Sequence, residues 1–152
     1  MLTPLLWITL ACAVLLALAS VRRIPEGQVY SLRRVGGQTR FLGAGTHMVM
    51  PLLERVAHKI NLNGDALALH GQLRNGEAYT GALYFQILDA ARADDVIDSI
   101  ESRLHTKVAA LLEQEQAPSD LGERRNWLKQ SLNAKMRERG VLVTRVDLQL
   151  AK

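Results

Sequence analysis

Residues 1 to 21 carry no charged side chain, and only Thr3, Pro4, Thr9 and Ser20 among them lie outside the apolar class. A helix on the surface of a globular domain shows one apolar stripe and one polar face, and this stretch has no polar face to offer. As a helix, Leu2 through Val21 rises about 30 Å at ~1.5 Å per residue, the hydrocarbon thickness of a bilayer. Pro4 sits where a helix start tolerates it, Trp7 lies near that end as an interfacial aromatic, and Arg22 with Arg23 closes the other end. This layout predicts a transmembrane anchor over residues 1–21, followed by one domain over residues 22–152. The alternative is an exported soluble binding domain, since Ala17-Leu18-Ala19 before Ser20 has the small-x-small form of a cleavage site near Ala19. Against it, no Lys or Arg precedes the apolar run, and the run is longer than the core of an export signal.

Arg22, Arg23, Arg33, Arg34 and Arg40 follow the run closely, with only Glu26 opposing them. The bias predicts a single-pass membrane protein whose larger domain faces the cytoplasm, which in a bacterium makes it an inner-membrane protein. The same five arginines are candidates for a basic collar near anionic lipid head groups, each contributing on the order of 1 kcal/mol close to the surface. For Arg33 and Arg34 a solvated strand face explains the charge equally well.

Beyond residue 21 the sequence reads as a folded α+β domain. Apolar residues make up 48% of the 152-residue chain and charged residues 22%, which excludes wholesale disorder. Gln28 to Val35, the Gly36-Gly37 turn and Gln38 to Leu42 predict a hairpin. Gly43-Ala44-Gly45 precedes a short strand over residues 46–50 that Pro51 ends. Val56, His58, Ile60 and Leu62 alternate with Ala57, Lys59 and Asn61 as a half-buried strand. Asn63-Gly64-Asp65 and Asn75-Gly76-Glu77 are turns around a weak strand, and Tyr79, Leu83, Phe85 and Ile87 share one face of the next.

The period then changes. Val96, Ile97, Ile100, Leu104, Val108, Leu111 and Leu112 predict a helix to about Gln116, stopped by Pro118, with Asp94, Asp95, Asp98 and Glu101 at its dipole-favoured start. Ser119 or Asp120 caps a second helix with Leu121, Leu128, Leu132 and Met136 on its stripe and Gly140 as terminator. Val141 to Leu150 predicts a closing strand with Leu142, Val146, Leu148 and Leu150 on one face. Together these elements predict an antiparallel-rich sheet packed with two main helices.

Several stretches resemble the SPFH or band 7 domain of stomatin, prohibitin and flotillin. Ile24-Pro25-Glu26-Gly27-Gln28-Val29 is similar to the family's opening motif. Leu42-Gly43-Ala44-Gly45-Thr46-His47-Met48-Val49-Met50-Pro51 resembles its Leu-x-Pro-Gly-x-His-x-x-x-Pro stretch, with Ala44 where proline is usual. Glu54-Arg55-Val56 stands in place of Asp-Arg-Val, Tyr84 to Ala90 resembles the tyrosine-rich strand ending in Asp-Pro at Asp89, and the close around Gly140 resembles the helix-to-strand join. The motif residues carried over are thus Pro25, Glu26, Gly27, Gly45, His47, Pro51, Arg55, Asp89 and Gly140. The resemblance implies a non-catalytic scaffold or adaptor that self-associates and organises membrane microdomains or modulates partner membrane proteins, among them proteases. Family members continue into a long heptad-bearing helix, and this chain stops at Lys152, which implies a small oligomer or a subunit that joins longer SPFH relatives.

Bond chemistry has no signal. His47, His58, His70 and His105 lack ligand spacing, so no metal is expected. No nucleophile elbow, Walker loop or dinucleotide fingerprint is present, so neither an enzyme nor a cofactor is expected. Five per cent aromatics and a net charge of +4 do not suit a base-stacking nucleic-acid binder. Cys12 alone forms no internal disulfide and reads as an apolar filler.

Overall fold

The alternating and helical periods become, in order, α1 (Leu2–Ser20), β1 (Val21–Ile24), β2 (Gln28–Arg34), β3 (Thr39–Leu42), β4 (Gly45–Met48), β5 (Glu54–Asn61), β6 (Asp65–Gln72) and β7 (Ala78–Ile87). There follow α2 (Ala90–Ala93), a 3-10 turn (Ile97–Ser99), α3 (Ile100–Leu112), α4 (Leu121–Met136), a second 3-10 turn (Arg137–Arg139) and β8 (Val141–Ala151). This computed structural model describes residues 2–73 and 76–151; the expected turn at Asn75 lies outside the described residues. The fold is α+β with antiparallel sheets. The strands form three small sheets, ordered β1-β4, β3-β2-β5 and β6-β7-β8, rather than one. The chain divides into two compact units, Met1–Lys59 and Ile60–Lys152.

In the first unit the predicted hairpin forms, with Tyr30 opposite Leu42 and Arg33 opposite Thr39. Gly36 and Gly37 take φ of 117° and 85°, the positive values its turn requires. Ile24, Leu32, Leu42 and Val49 make a small core, with Tyr30 and Val56 packed against it.

The expectation of a transmembrane anchor is corrected here. Among the described residues no helix is long and apolar enough to cross a membrane. Helix α1 ends at Ser20, whose hydroxyl donates back to the Leu16 carbonyl at 2.7 Å, and Val21 is drawn into β1 opposite Met48. Helix α1 thus holds 19 residues, and Val21, expected to complete it, belongs to a strand. The single-pass location and the cytoplasmic placement drawn from it fall with the anchor.

In the second unit Tyr79, Leu83, Phe85 and Ile87 are buried along β7 as their alternation predicts. Ile100, Leu104, Val108, Leu111 and Leu112 of α3 and Leu128, Leu132 and Met136 of α4 join the same core. Each such side chain, fully buried, contributes on the order of 1.5–3 kcal/mol. Strand β6, expected to be weak, pairs with β7 over its whole length and buries Leu67 and Leu69.

Two helical expectations shift. The first long helix begins at Ile100 because the chain turns through Val96 N to Ala93 O and Ser99 N to Val96 O bonds, burying Ala93, Val96 and Ile100 together. Asp94 therefore falls at the C-terminal end of α2, and only Glu101 lies in the first turn of α3. The helix ends at Leu112, before the expected Gln116, where Gln114 N turns back to Leu111 O. In α4 the expected cap is present, with Glu123 N donating to Asp120 Oδ2 at 3.0 Å.

Strand β8 does not keep the single face expected of it. Tyr84 pairs with Arg145 and Phe85 with Val143, so Thr144 is an extra residue in a β-bulge. The bulge reverses parity: Val141 and Val143 are buried before it and Val146 and Leu148 after it, while Leu142 lies on the other face. The Thr144 hydroxyl donates to the Tyr84 carbonyl at 3.1 Å.

As the outer strand of its sheet, β8 has backbone groups that β7 does not meet, and α4 supplies their partners. The Asn133 side chain accepts from Val143 N at 2.7 Å and donates to Val143 O at 2.9 Å. Arg125 donates through Nη2 and Nε to Leu148 O at 2.6 and 3.1 Å. Asn133→Ala leaves both Val143 groups without that partner and is expected to lower unfolding stability by about 2 kcal/mol. Urea denaturation followed by circular dichroism checks this; an unchanged midpoint contradicts the latch.

Candidate functional site

The motif residues of the first unit converge through β1 and β4. Pro25-Glu26-Gly27 forms a turn closed by Gln28 N donating to Pro25 O at 3.3 Å, with Gly27 at φ 77°. The β1–β4 register sets Ile24 opposite Gly45 and Arg22 opposite His47, so Arg23, Pro25, Glu26 and Gly45 line one shallow groove. His47 Nε2 lies 2.9 Å from the Gly43 carbonyl; facing an acceptor, that nitrogen carries the proton. This contact ties the ring of His47, a β4 residue, to the chain just before that strand. Arg22, Pro51 and Arg55 line a second groove with Ala19, Val49, Glu54 and Val56.

Sequence reasoning gave Glu54 no role beyond a motif letter, yet it organises this region. Its side chain is 3% exposed and accepts from Arg34 Nη2 at 2.8 Å, with Arg40 Nη1 at 4.0 Å. Its other oxygen accepts from Met50 N at 3.3 Å. Glu54 is the one acid between Gly27 and Gly64, among Arg33, Arg34, Arg40, Arg55 and Lys59, a signal in the sequence that it must be shared. Two of the five arginines expected at lipid thus flank a buried carboxylate, while Arg22, Arg23 and Arg33 are exposed.

The Glu54 clasp holds up an apolar rim. Leu53 N and Glu54 N both donate to Met50 O, folding residues 50–54 into a turn, and Val35 N donates to Leu53 O at 2.9 Å. The turn presents Met50, Leu52 and Leu53, with Val35 beside Leu53, and Leu52 is 78% exposed. Val49 N donates to Ser20 O at 2.8 Å, joining this rim to the end of α1. The exposed pair Val21 and Met48 faces across the β1–β4 ladder. Along α1 itself Leu6, Trp7, Ile8, Leu10, Val14, Leu15, Leu16 and Leu18 are all exposed. Large apolar side chains thus stand exposed on α1, on the β1–β4 ladder and on the turn after Met50.

In the second unit Asp89 and Gly140, far apart in sequence, meet in a structural joint. Leu88 N and Asp89 N donate to Gly140 O at 2.8 and 3.2 Å. Asp89 Oδ1 accepts from Ala91 N and Arg92 N, capping α2. Gly140 has φ 71°, and a Cβ there would stand 2.5 Å from the Asp89 carbonyl, so glycine is required twice over. His70 and His105, distant in sequence, stack edge to face with ring centroids 5.6 Å apart. Among the described residues no group of three or more His, Cys, Asp or Glu side chains gathers as metal ligands.

The hydrogen bond from Arg34, then that from Met50 N, hold the Glu54 carboxyl below its ordinary value near 4.5. With the folded value below the unfolded one, the clasp stabilises fully above that ordinary value and is lost as pH falls through the folded value. Glu54→Gln is expected to lower the melting temperature by about 2–5 °C at pH 7 and to differ little from the parent once pH is well below 4.5. Thermal unfolding followed across pH checks this, and a gap of equal size at every pH contradicts it. No protein-family model matches the chain, so its function is read from its own geometry.

Proposed function

We propose that the protein is a non-catalytic adaptor that self-associates at a lipid surface, with the first unit as its contact face. The observation that carries this reading is the exposed apolar rim, Val35, Met48, Met50, Leu52 and Leu53, continuous through Ser20 with a helix that has no polar face. Arg22, Arg23 and Arg33 are exposed in the same unit, where anionic head groups suit them. Contact with lipid does not require crossing it: an apolar helix and an apolar turn dip into the head-group boundary and lose water there.

Self-association follows from the same helix. A helix lying on lipid covers only part of its circumference, and α1 is apolar around all of it, so the remaining faces need another apolar surface. A neighbouring copy supplies one at no cost in specificity, because its α1 is apolar in the same way. The SPFH-like motif residues agree with such a role, in which the assembled copies organise a patch of membrane or hold a partner membrane protein such as a protease. No residue in this reading makes or breaks a bond.

Flotation of the full chain with neutral phosphatidylcholine vesicles tests the rim without help from charge. The parent protein is expected to float, and Leu52→Glu with Leu53→Glu is expected to weaken vesicle binding roughly tenfold or more, since each leucine buried in lipid is worth on the order of 1.5–3 kcal/mol. Equal flotation of both proteins, or none by the parent, contradicts the reading. Light scattering of the detergent-extracted protein reads the second half, where a monomer alone contradicts self-association.

A further inference from the structure

The second unit gathers positive charge where its two long helices pack. Arg103 and Lys107 stand one turn apart on α3, and Lys135 and Arg139 stand one turn apart at the end of α4 and in the 3-10 turn after it. The two pairs are joined by Lys107, whose Nζ reaches the Sδ of the fully buried Met136 at 3.5 Å. A thioether is a weak acceptor for an ammonium. Arg103 Nε donates to the Ser99 hydroxyl at 2.8 Å. Burial first, and then Lys135, Arg139 and Arg103, push the Lys107 ammonium below its usual value.

The partial negative charge at the end of α4 accounts for Lys135 and Arg139 by themselves, because cations at a helix C-terminus are favourable. It does not account for two further cations brought to the same place by another helix, one of them half-buried. Like charges held together this way repel one another, and the cost is recovered when an anion sits among them. The groups also match one chemistry: the guanidinium forks of Arg103 and Arg139 suit tetrahedral oxyanions, and the ammonium of Lys107 supplies a point charge.

We propose that Arg103, Lys107, Lys135 and Arg139 form a binding site for a polyvalent phosphate anion on the α3–α4 face. It takes the phosphate of a lipid head group or of a free polyphosphate by the same contacts. The site lies wholly in the second unit and does not depend on the apolar rim, so either reading can fail while the other stands.

The test uses the full chain with two probes: inorganic tripolyphosphate in calorimetric titration at low salt, and vesicles with or without phosphatidic acid. Lys107→Met with Arg139→Gln removes two charges while giving Met136 an apolar neighbour; Lys59→Gln with Lys129→Gln removes two charges elsewhere. The first variant is expected to weaken tripolyphosphate binding, or the extra binding conferred by phosphatidic acid, roughly fivefold or more, with the control pair changing it less than about twofold. Loss with tripolyphosphate alone identifies a free phosphate, and loss with phosphatidic acid identifies a head group. Binding of neither probe by the parent, or equal weakening in both variants, overturns the site.

Discussion

Every backbone amide that leaves water must find a partner, and in this protein polar side chains meet that demand at the places where the sheets stop. Strand β8 ends its sheet, and its unpaired edge is taken up by Asn133 at Val143 and by Arg125 at Leu148. Helix α4 is thereby fixed in register as well as buried, since hydrogen bonds specify position where apolar contact alone tolerates sliding. In the first unit Glu54 plays the corresponding part, meeting Met50 N after Pro51 has interrupted any further ladder. These bonds decide how each unit presents its surface, while the apolar cores decide that it folds.

Local patterns were legible wherever one residue's neighbours in sequence are also its neighbours in space. The Gly36-Gly37 hairpin, the Asp120 cap, the Leu128–Leu132–Met136 stripe and the alternation of β7 all follow from spacing. The bulge at Thr144 did not, because its cause is the pairing with Tyr84 and Phe85, some sixty residues earlier. The break before α3 was hidden for a similar reason: Val96 and Ile100 fit a helical period, yet tertiary burial of Ala93 and Val96 bends the chain between them. Period reports which face is apolar and is silent on where the axis turns.

The candidate site was half legible. Pro25 and Gly27 are turn residues whose types announce their geometry, and the β1–β4 register sets the end of β1 beside Gly45 and His47. The arginines were harder, since charge bias treats all five alike, whereas the fold sorts them by distance from Glu54. Arg34 and Arg40 balance a buried acid, and Arg22, Arg23 and Arg33 remain at the surface. The uncharged run of residues 1 to 21 reported composition and not where the helix ends, since Val21 belongs to β1. The convergence of Arg103, Lys107, Lys135 and Arg139 depends on how α3 packs on α4, which no local pattern records.

A buried acid beneath an apolar turn is a costly arrangement unless the turn has work to do. Polar residues would close a loop after Pro51 without exposing Leu52 at 78% of its surface, and an exposed turn needs no carboxylate to hold it. Glu54 restrains the turn before anything binds, so the ordering entropy of Met50, Leu52 and Leu53 has already been met when they leave water. In the proposed adaptor, preorganisation of this kind raises affinity without new contacts. Under that proposal the clasp and the rim belong together: Glu54 gives the exposed turn a fixed shape, and docking is what a fixed shape serves.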